Sequence, residues 1–264
     1  MYTTPKNLLS SNNAKTIKGE KIGYTTYIMY LAPFTQNSKG INLCSHASPG
    51  CASACLFGSG AARFMQVQNG KTNKTEYFLE DRIKFLNQLV SEIETIERKH
   101  NAIVGTEQIG ANGKTIRYKK FAIRLNGTSD ISFEKFKIKD NKNIFELFPN
   151  VQFYDYTKNH LRFDRIKGLS NYNLTFSRSE TNDKKSFELL KQGYNVAMVF
   201  GIKKESELPS NYKGFKVING DETDLRFLDE KNVIVGLKYK LLTGKGTKGK
   251  NKVHVETNDF IINL

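Results

Sequence analysis

All three cysteines of the chain lie in one twelve-residue stretch, Cys44-Ser-His-Ala-Ser-Pro-Gly-Cys51-Ala-Ser-Ala-Cys55. Thiols at short spacing on a loop that carries Gly and Pro suit a soft metal or an iron–sulfur cluster, because such a loop can fold several sulfurs around one centre. A disulfide or a redox dithiol uses two cysteines and leaves one over. Three readings stay open. Cys44, Cys51 and Cys55 with His46 as fourth ligand would complete a zinc tetrahedron. The same cysteines without the histidine would hold an iron–sulfur cluster with one iron open to another ligand. As small side chains, they could also simply fill a tight buried loop.

Further polar clusters stand where apolar runs end. Phe121 to Asn126 leads into Gly127-Thr128-Ser129-Asp130, and Val151 to Asp155 leads into Tyr156-Thr157-Lys158. Asn173 to Ser177 leads into Arg178-Ser179-Glu180, and Phe215 to Ile218 into Asn219-Gly220-Asp221-Glu222-Thr223-Asp224. In parallel α/β folds the loops beyond the carboxyl ends of the strands converge on a shared crevice. Asp130, Asp155 and Lys158 are therefore candidate catalytic residues. The same side chains would also serve as helix caps, ion pairs or turn formers.

The elements that must position these groups are legible as short runs of β-branched and aromatic residues bounded by turn signals. They predict strands over Ile22 to Leu31, Phe121 to Asn126, Val151 to Tyr156, Asn173 to Ser177, Val196 to Phe200, Phe215 to Ile218 and Val233 to Lys238. A single helix is predicted from Thr75 to His100, where Phe78, Phe85, Leu86, Leu89, Ile93 and Ile96 form an apolar stripe. Asp183 to Gln192 reads as a second helix, stopped by Gly193. Strands alternating with helices predict an α/β fold with mainly parallel pairing, a complete or partial (β/α) barrel in a single domain over residues 1–264. Residues 102–120, with an Asn112-Gly113 turn, read as a hairpin insertion.

Composition bounds the partners. The net charge is +15, from 41 Lys and Arg against 26 Asp and Glu. Such a balance attracts polyanions, with nucleic acid or a nucleotide as first candidate, although a Lys-, Asn- and Ile-rich sequence also follows from an AT-rich genome. The charge is densest in the Gly/Lys loop at 243–252, where Lys245, Lys248, Lys250 and Lys252 could grip phosphates or form a solvated loop. That loop lacks the ordered spacing of a nucleotide-binding P-loop. Neither a signal-peptide core nor a long apolar run occurs, so no membrane association and a cytoplasmic location are expected, the host cytoplasm if the gene is phage-borne.

A strand followed at once by a three-cysteine loop resembles radical S-adenosylmethionine enzymes. That resemblance implies a partial α/β barrel and a 4Fe-4S cluster on Cys44, Cys51 and Cys55, whose open iron takes S-adenosylmethionine. Here six and then three residues separate the cysteines, where that family usually has three and then two. Asn126 to Asp130 stands in place of the family's Gly-Gly-Glu-type segment, which makes Asn126 a further catalytic candidate, opposite the methionine amino group. Ser177 and Glu180 occupy positions where such barrels hold the ribose or carboxylate of the cofactor. A second resemblance spans nearly the whole chain, through Leu31-Ala-Pro, the cysteine loop, Arg124-Leu-Asn-Gly-Thr-Ser-Asp130, Phe153-Tyr-Asp-Tyr-Thr-Lys158 and Asn219-Gly-Asp221. It is to phage and mobile-element proteins, and it implies a viral origin without a reaction.

The expected function is thus a radical S-adenosylmethionine-like enzyme acting on a nucleic acid or nucleotide. The rival is a zinc-stabilised nucleic-acid-binding protein of replication or packaging. Tyr154-Asp-Tyr156-Thr-Lys158 slightly resembles the tyrosine and lysine arrangement of rolling-circle nickases, but none of the four histidines lies close in sequence to another. A metal-independent hydrolase would instead pair Asp130 with Asp155 or Asp221 with Asp224.

Overall fold

The computed structural model describes residues 2–11, 22–55, 64–102, 107–109, 115–117, 120–203, 205–239 and 259–264. The basic loop with Lys245, Lys248, Lys250 and Lys252 lies outside these residues. In chain order the strands are β1 (Leu9–Ser10), β2 (Tyr24–Met29), β3 (Glu107–Ile109), β4 (Thr115–Arg117), β5 (Lys120–Arg124) and β6 (Gln152–Thr157). There follow β7 (Tyr172–Ser177), β8 (Val196–Phe200), β9 (Asn211–Tyr212), β10 (Phe215–Asn219), β11 (Ile234–Lys238) and β12 (Ile261–Ile262). The main sheet runs β1-β2-β5-β6-β7-β8-β11-β10-β9, with β12 on β8, and β3 pairs with β4 as a separate antiparallel ribbon. All seven sequence-predicted strands are present, and every pairing among them is parallel.

Among the described residues the sheet is open rather than a complete barrel: β1 and β9 cap its two ends by antiparallel pairing and do not pair with each other. It is nonetheless strongly curled. Laid flat, β5 and β10 would stand about 24 Å apart, five strand spacings. Yet Arg124 of β5 forms an ion pair at 2.7 Å with Asp224, just beyond β10. The curl of the sheet, together with the β10–β11 connection folded across its concave face, closes that span. In this connection Leu225 and Phe227 pack on Ala122, Tyr154 and Tyr24, filling the lower part of the concavity.

The helices are α1 (Pro49–Ser53), which lies in the cysteine loop, and α2 (Met65–Glu80), α3 (Arg82–Asn101), α4 (Ile144–Leu147), α5 (Leu161–Arg165) and α6 (Asp183–Lys191), which cover the convex face. The stripe read from the sequence does face inward: Phe78, Phe85, Leu89 and Ile93 share one core with Met29, Leu31, Ile123 and Leu125. Each such side chain contributes about 1.5–3 kcal/mol on burial. The stripe is carried by two helices, however, not one from Thr75 to His100. Asp81 leaves the helical region (φ −137°, ψ 69°) and its carboxylate accepts the Lys84 N–H, so it ends α2 and caps α3.

α2 also begins ten residues earlier than the apolar pattern predicts. Its polar side chains are bound by tertiary contacts instead. Thr75 accepts the Ala32 N–H at 2.8 Å, Lys74 donates to the Leu8 carbonyl, and Glu76 accepts from the backbone and hydroxyl of Ser38. Among the described residues no helix is long and apolar enough to cross a membrane.

Candidate functional site

A cavity of about 420 Å³ opens at the carboxyl ends of the parallel strands. The loop after β2 supplies Cys44, Cys51 and Cys55, and the end of β5 supplies Arg124 and residues 126–130. β6 adds Tyr156, Thr157 and Lys158, β7 adds Ser177, and the β10–β11 connection adds Asp221 and Asp224. The opposite wall is apolar, built by Ala197, Val199, Leu237 and Phe260. Phe260 arrives from the far end of the chain. β12 runs beside Val199 and Phe200, just past the point where β7 leaves β8 at Ala197. Arg178 secures this segment by donating to the carbonyls of Asp259 and Phe260.

Local chemistry explains how the cysteine loop is held. Pro49 stands in the first turn of α1, and the Ser48 hydroxyl caps it by accepting the Cys51 N–H at 3.1 Å. Glu180, beyond β7, then clamps this turn: it accepts the Ser48 hydroxyl and the Gly50 N–H, both at 2.7 Å. Burial alone would raise the Glu180 carboxyl, but these hydrogen bonds outweigh it and hold the group below its ordinary range. At the other end of the loop, the Asp130 N–H donates to the Leu43 carbonyl and the Thr128 hydroxyl to that of Leu31. Gly127 makes this close approach possible, since a Cβ there would sit 2.6 Å from the Tyr30 ring and 2.7 Å from the Met29 carbonyl.

The three cysteines form no disulfide; Cys44 is buried, and Cys51 and Cys55 are half-buried. Burial pushes the Cys44 thiol up to about 12, with Asp130 and the two other sulfurs acting in the same direction against a hydrogen bond from the Phe34 backbone. Among the described residues no three His, Cys, Asp or Glu side chains gather tightly enough to enclose one metal ion. His46 is exposed beside Ser45, away from the cavity, so the tetrahedron expected with His46 is not assembled.

The other sequence-predicted residues divide into two layers. Asn126, Asp130, Lys158 and Ser177 stand on the cavity wall. The Lys158 ammonium donates to the Ser177 hydroxyl at 3.0 Å and lies 5.6 Å from the centre of the Phe260 ring. Asp155 and Glu180 lie behind that wall. Asp155, fully buried, accepts the Asn126 N–H, the Asn126 amide and the Tyr172 hydroxyl. Burial lifts its carboxyl to about 6 despite the nearby Arg162 and Arg124 charges. Arg162, also fully buried, binds Asp130, Glu134 and Tyr172 together.

The acidic pairs are thus engaged with structural partners. Asp130 accepts from Arg162 and from the Lys158 N–H, Asp221 accepts the Lys238 N–H, and Asp224 binds Arg124. Tyr154 is fully buried, which removes it as a nickase-type nucleophile.

Two wall residues that the sequence reading named only within longer motifs take a place of their own here. Arg124 and Tyr156 meet deep in the cavity, the guanidinium 4.7 Å from the ring centre. Burial works against the Arg124 charge, and Asp224 with the neighbouring Tyr154 and Tyr156 hydroxyls overcomes it, so the side chain stays cationic. The available signal was a charged residue at the end of an apolar strand segment, directly after Ala122 and Ile123.

The fold and site define an α/β protein with an open, mainly parallel sheet and a thiol-lined cavity at the strands' carboxyl ends. A family model described as Gene product 88 matches residues 7–254, and the chain belongs to that phage-type family. No curated protein and no solved structure matches the chain.

Proposed function

We propose that the protein is an iron–sulfur enzyme of the radical S-adenosylmethionine type that modifies a nucleic acid or nucleotide. One observation carries this reading: three thiols from the loop directly after the first parallel strand open into a single cavity ringed by the ends of the following strands. A cluster held by Cys44, Cys51 and Cys55 would supply an electron to S-adenosylmethionine. In such a cluster each thiolate takes its own iron, so the three cysteines need only line one cavity.

The chain's own groups have separate tasks. Glu180 and Ser48 fix the turn that bears Cys51. Lys158, supported by Ser177, offers an ammonium to an anionic group of the cofactor, and Asn126 and Asp130 line the wall beside it. The apolar side formed by Val199, Leu237 and Phe260 keeps water from the reacting centre. The net charge of +15 favours a polyanionic substrate.

The test is purification without oxygen, followed by iron, sulfide and zinc analysis and a visible spectrum. A brown protein with roughly four irons per chain is expected, and Cys51→Ala should lose the colour. A colourless protein with one zinc and no iron overturns the proposal in favour of a zinc-stabilised binding protein.

A further inference from the structure

The deep end of the cavity has a chemistry different from its mouth. The register pairs Ala122 with Gln152 and Ile123 with Phe153. The Arg124 backbone therefore stands level with Tyr154, and its guanidinium reaches along the strands to the Asn126 carbonyl and the Tyr156 ring. Here the Arg124 guanidinium is held on three sides. Its Nε donates to the Asn126 carbonyl at 3.3 Å, one Nη donates to Asp224 at 2.7 Å, and its plane lies against the Tyr156 ring.

The residue is only 6% exposed, yet its second Nη has no protein partner among the described residues, and the side chain lines the cavity. A guanidinium carries five N–H donors in a rigid fork. No Arg124 nitrogen is sealed from the cavity without a partner, so an acceptor carried by a ligand can take the place of water at the remaining donors.

The charge balance specifies the kind of acceptor. Asp224 already neutralises Arg124. Adding an anion at a neutral buried pair would cost its desolvation and gain little net attraction. A neutral, planar group with two adjacent acceptor atoms meets the fork without that cost. Nucleobases have such edges, and the O6 and N7 atoms of guanine are the best geometric match to an arginine fork. Ala197, Val199 and Leu237 supply the apolar flank that the faces of a base require, and the volume is within the range of small-molecule pockets.

We infer that the deep end of the cavity receives a nucleobase, guanine best, read by Arg124 with Asp224 as its positioning residue. The inference rests on the proposed action on a nucleic acid or nucleotide and names the residues that would recognise it.

The experiment is titration calorimetry of the full-length protein, with and without bound iron, against guanosine, adenosine, cytidine and uridine, and against inorganic phosphate and acetate. Guanosine should bind most tightly. Arg124→Lys keeps a cation opposite Asp224 but loses the fork, and should weaken guanosine binding roughly 10- to 100-fold. Its thermal unfolding temperature, measured alongside, reports whether the fold is intact. Asp224→Asn, which loosens the fork without removing it, should give a smaller loss.

Binding of guanosine by Arg124→Lys as tightly as by the parent protein overturns the inference. So does a parent protein that takes phosphate or acetate but no nucleoside at millimolar concentration, a result that needs no variant. Guanosine binding by a protein that never holds iron would leave the base site standing and remove the cluster proposal. A brown protein blind to every nucleoside would do the reverse.

Discussion

Replacing Glu180 by alanine isolates the contribution of a single clamp to the cysteine loop. The carboxylate accepts two hydrogen bonds at 2.7 Å, from the Ser48 hydroxyl and the Gly50 N–H, and no residue of the loop itself replaces it. Hydrogen bonds to a charged group are worth about 1.5–3 kcal/mol each, and partial access of water to this half-buried side chain reduces the pair to about 2 kcal/mol together. If that loss falls on local opening of the turn rather than on global unfolding, the open population rises about 30-fold.

Cys51 and Cys55 report the opening directly. Their reaction with a thiol-specific chromogenic reagent should accelerate by about that factor in Glu180→Ala, while the global unfolding midpoint changes little. The pH dependence follows from the lowered carboxyl. A depressed folded pKa contributes stability that is present above the unfolded value of 4.5 and disappears as pH falls through the folded value. The difference between parent and variant should therefore vanish in acid. Parent-like thiol kinetics in Glu180→Ala at neutral pH would refute the clamp.

The buried network behind the cavity offers two further outcomes. Arg162→Met strands Asp130 and Glu134 without their shared cation and should cost about 3–5 kcal/mol, lowering the urea midpoint by about 1–2 M; an unchanged midpoint would mean water replaces the guanidinium. Asp155 has the opposite sign from Glu180. Its folded carboxyl titrates near 6 against 3.8 unfolded, so the folded state holds a proton that the unfolded chain has released. Its contribution should make stability fall as pH rises from about 4 to 6, by about 3 kcal/mol at most. Urea unfolding across that range should show a flatter profile for Asp155→Asn, and parallel profiles would rule this assignment out.

Much of the sheet was legible in the sequence because its strands are locally consistent. Runs such as Val196 to Phe200 are apolar, β-branched and bounded by turn residues, so their state follows from composition alone. The helix break at Asp81 was not legible. An aspartate suits the first turn of one long helix as well as it suits a cap, and only the packing of α2 and α3 on the sheet selects the cap. The polar start of α2, residues 65–74, was missed for a related reason: the helix is held by distant partners, Leu8, Ala32 and Ser38, 38 to 66 residues away.

The roles of individual site residues divide in the same way. Asp155 and Glu180 have the right type and place for chemistry, but their hydrogen-bond partners make them supports. Arg124 looked like part of a motif until Asp224, 100 residues later, was brought against it. The cysteine spacing and the strand order around it are properties of short segments, and the sequence by itself determined that three thiols would follow the first parallel strand. Whether those thiols share a cavity, which carboxylates reach it and which arginine lies at its floor depend on how far the sheet curls. Curl is the sum of twist and packing over seven strands, and only the tertiary structure decided it.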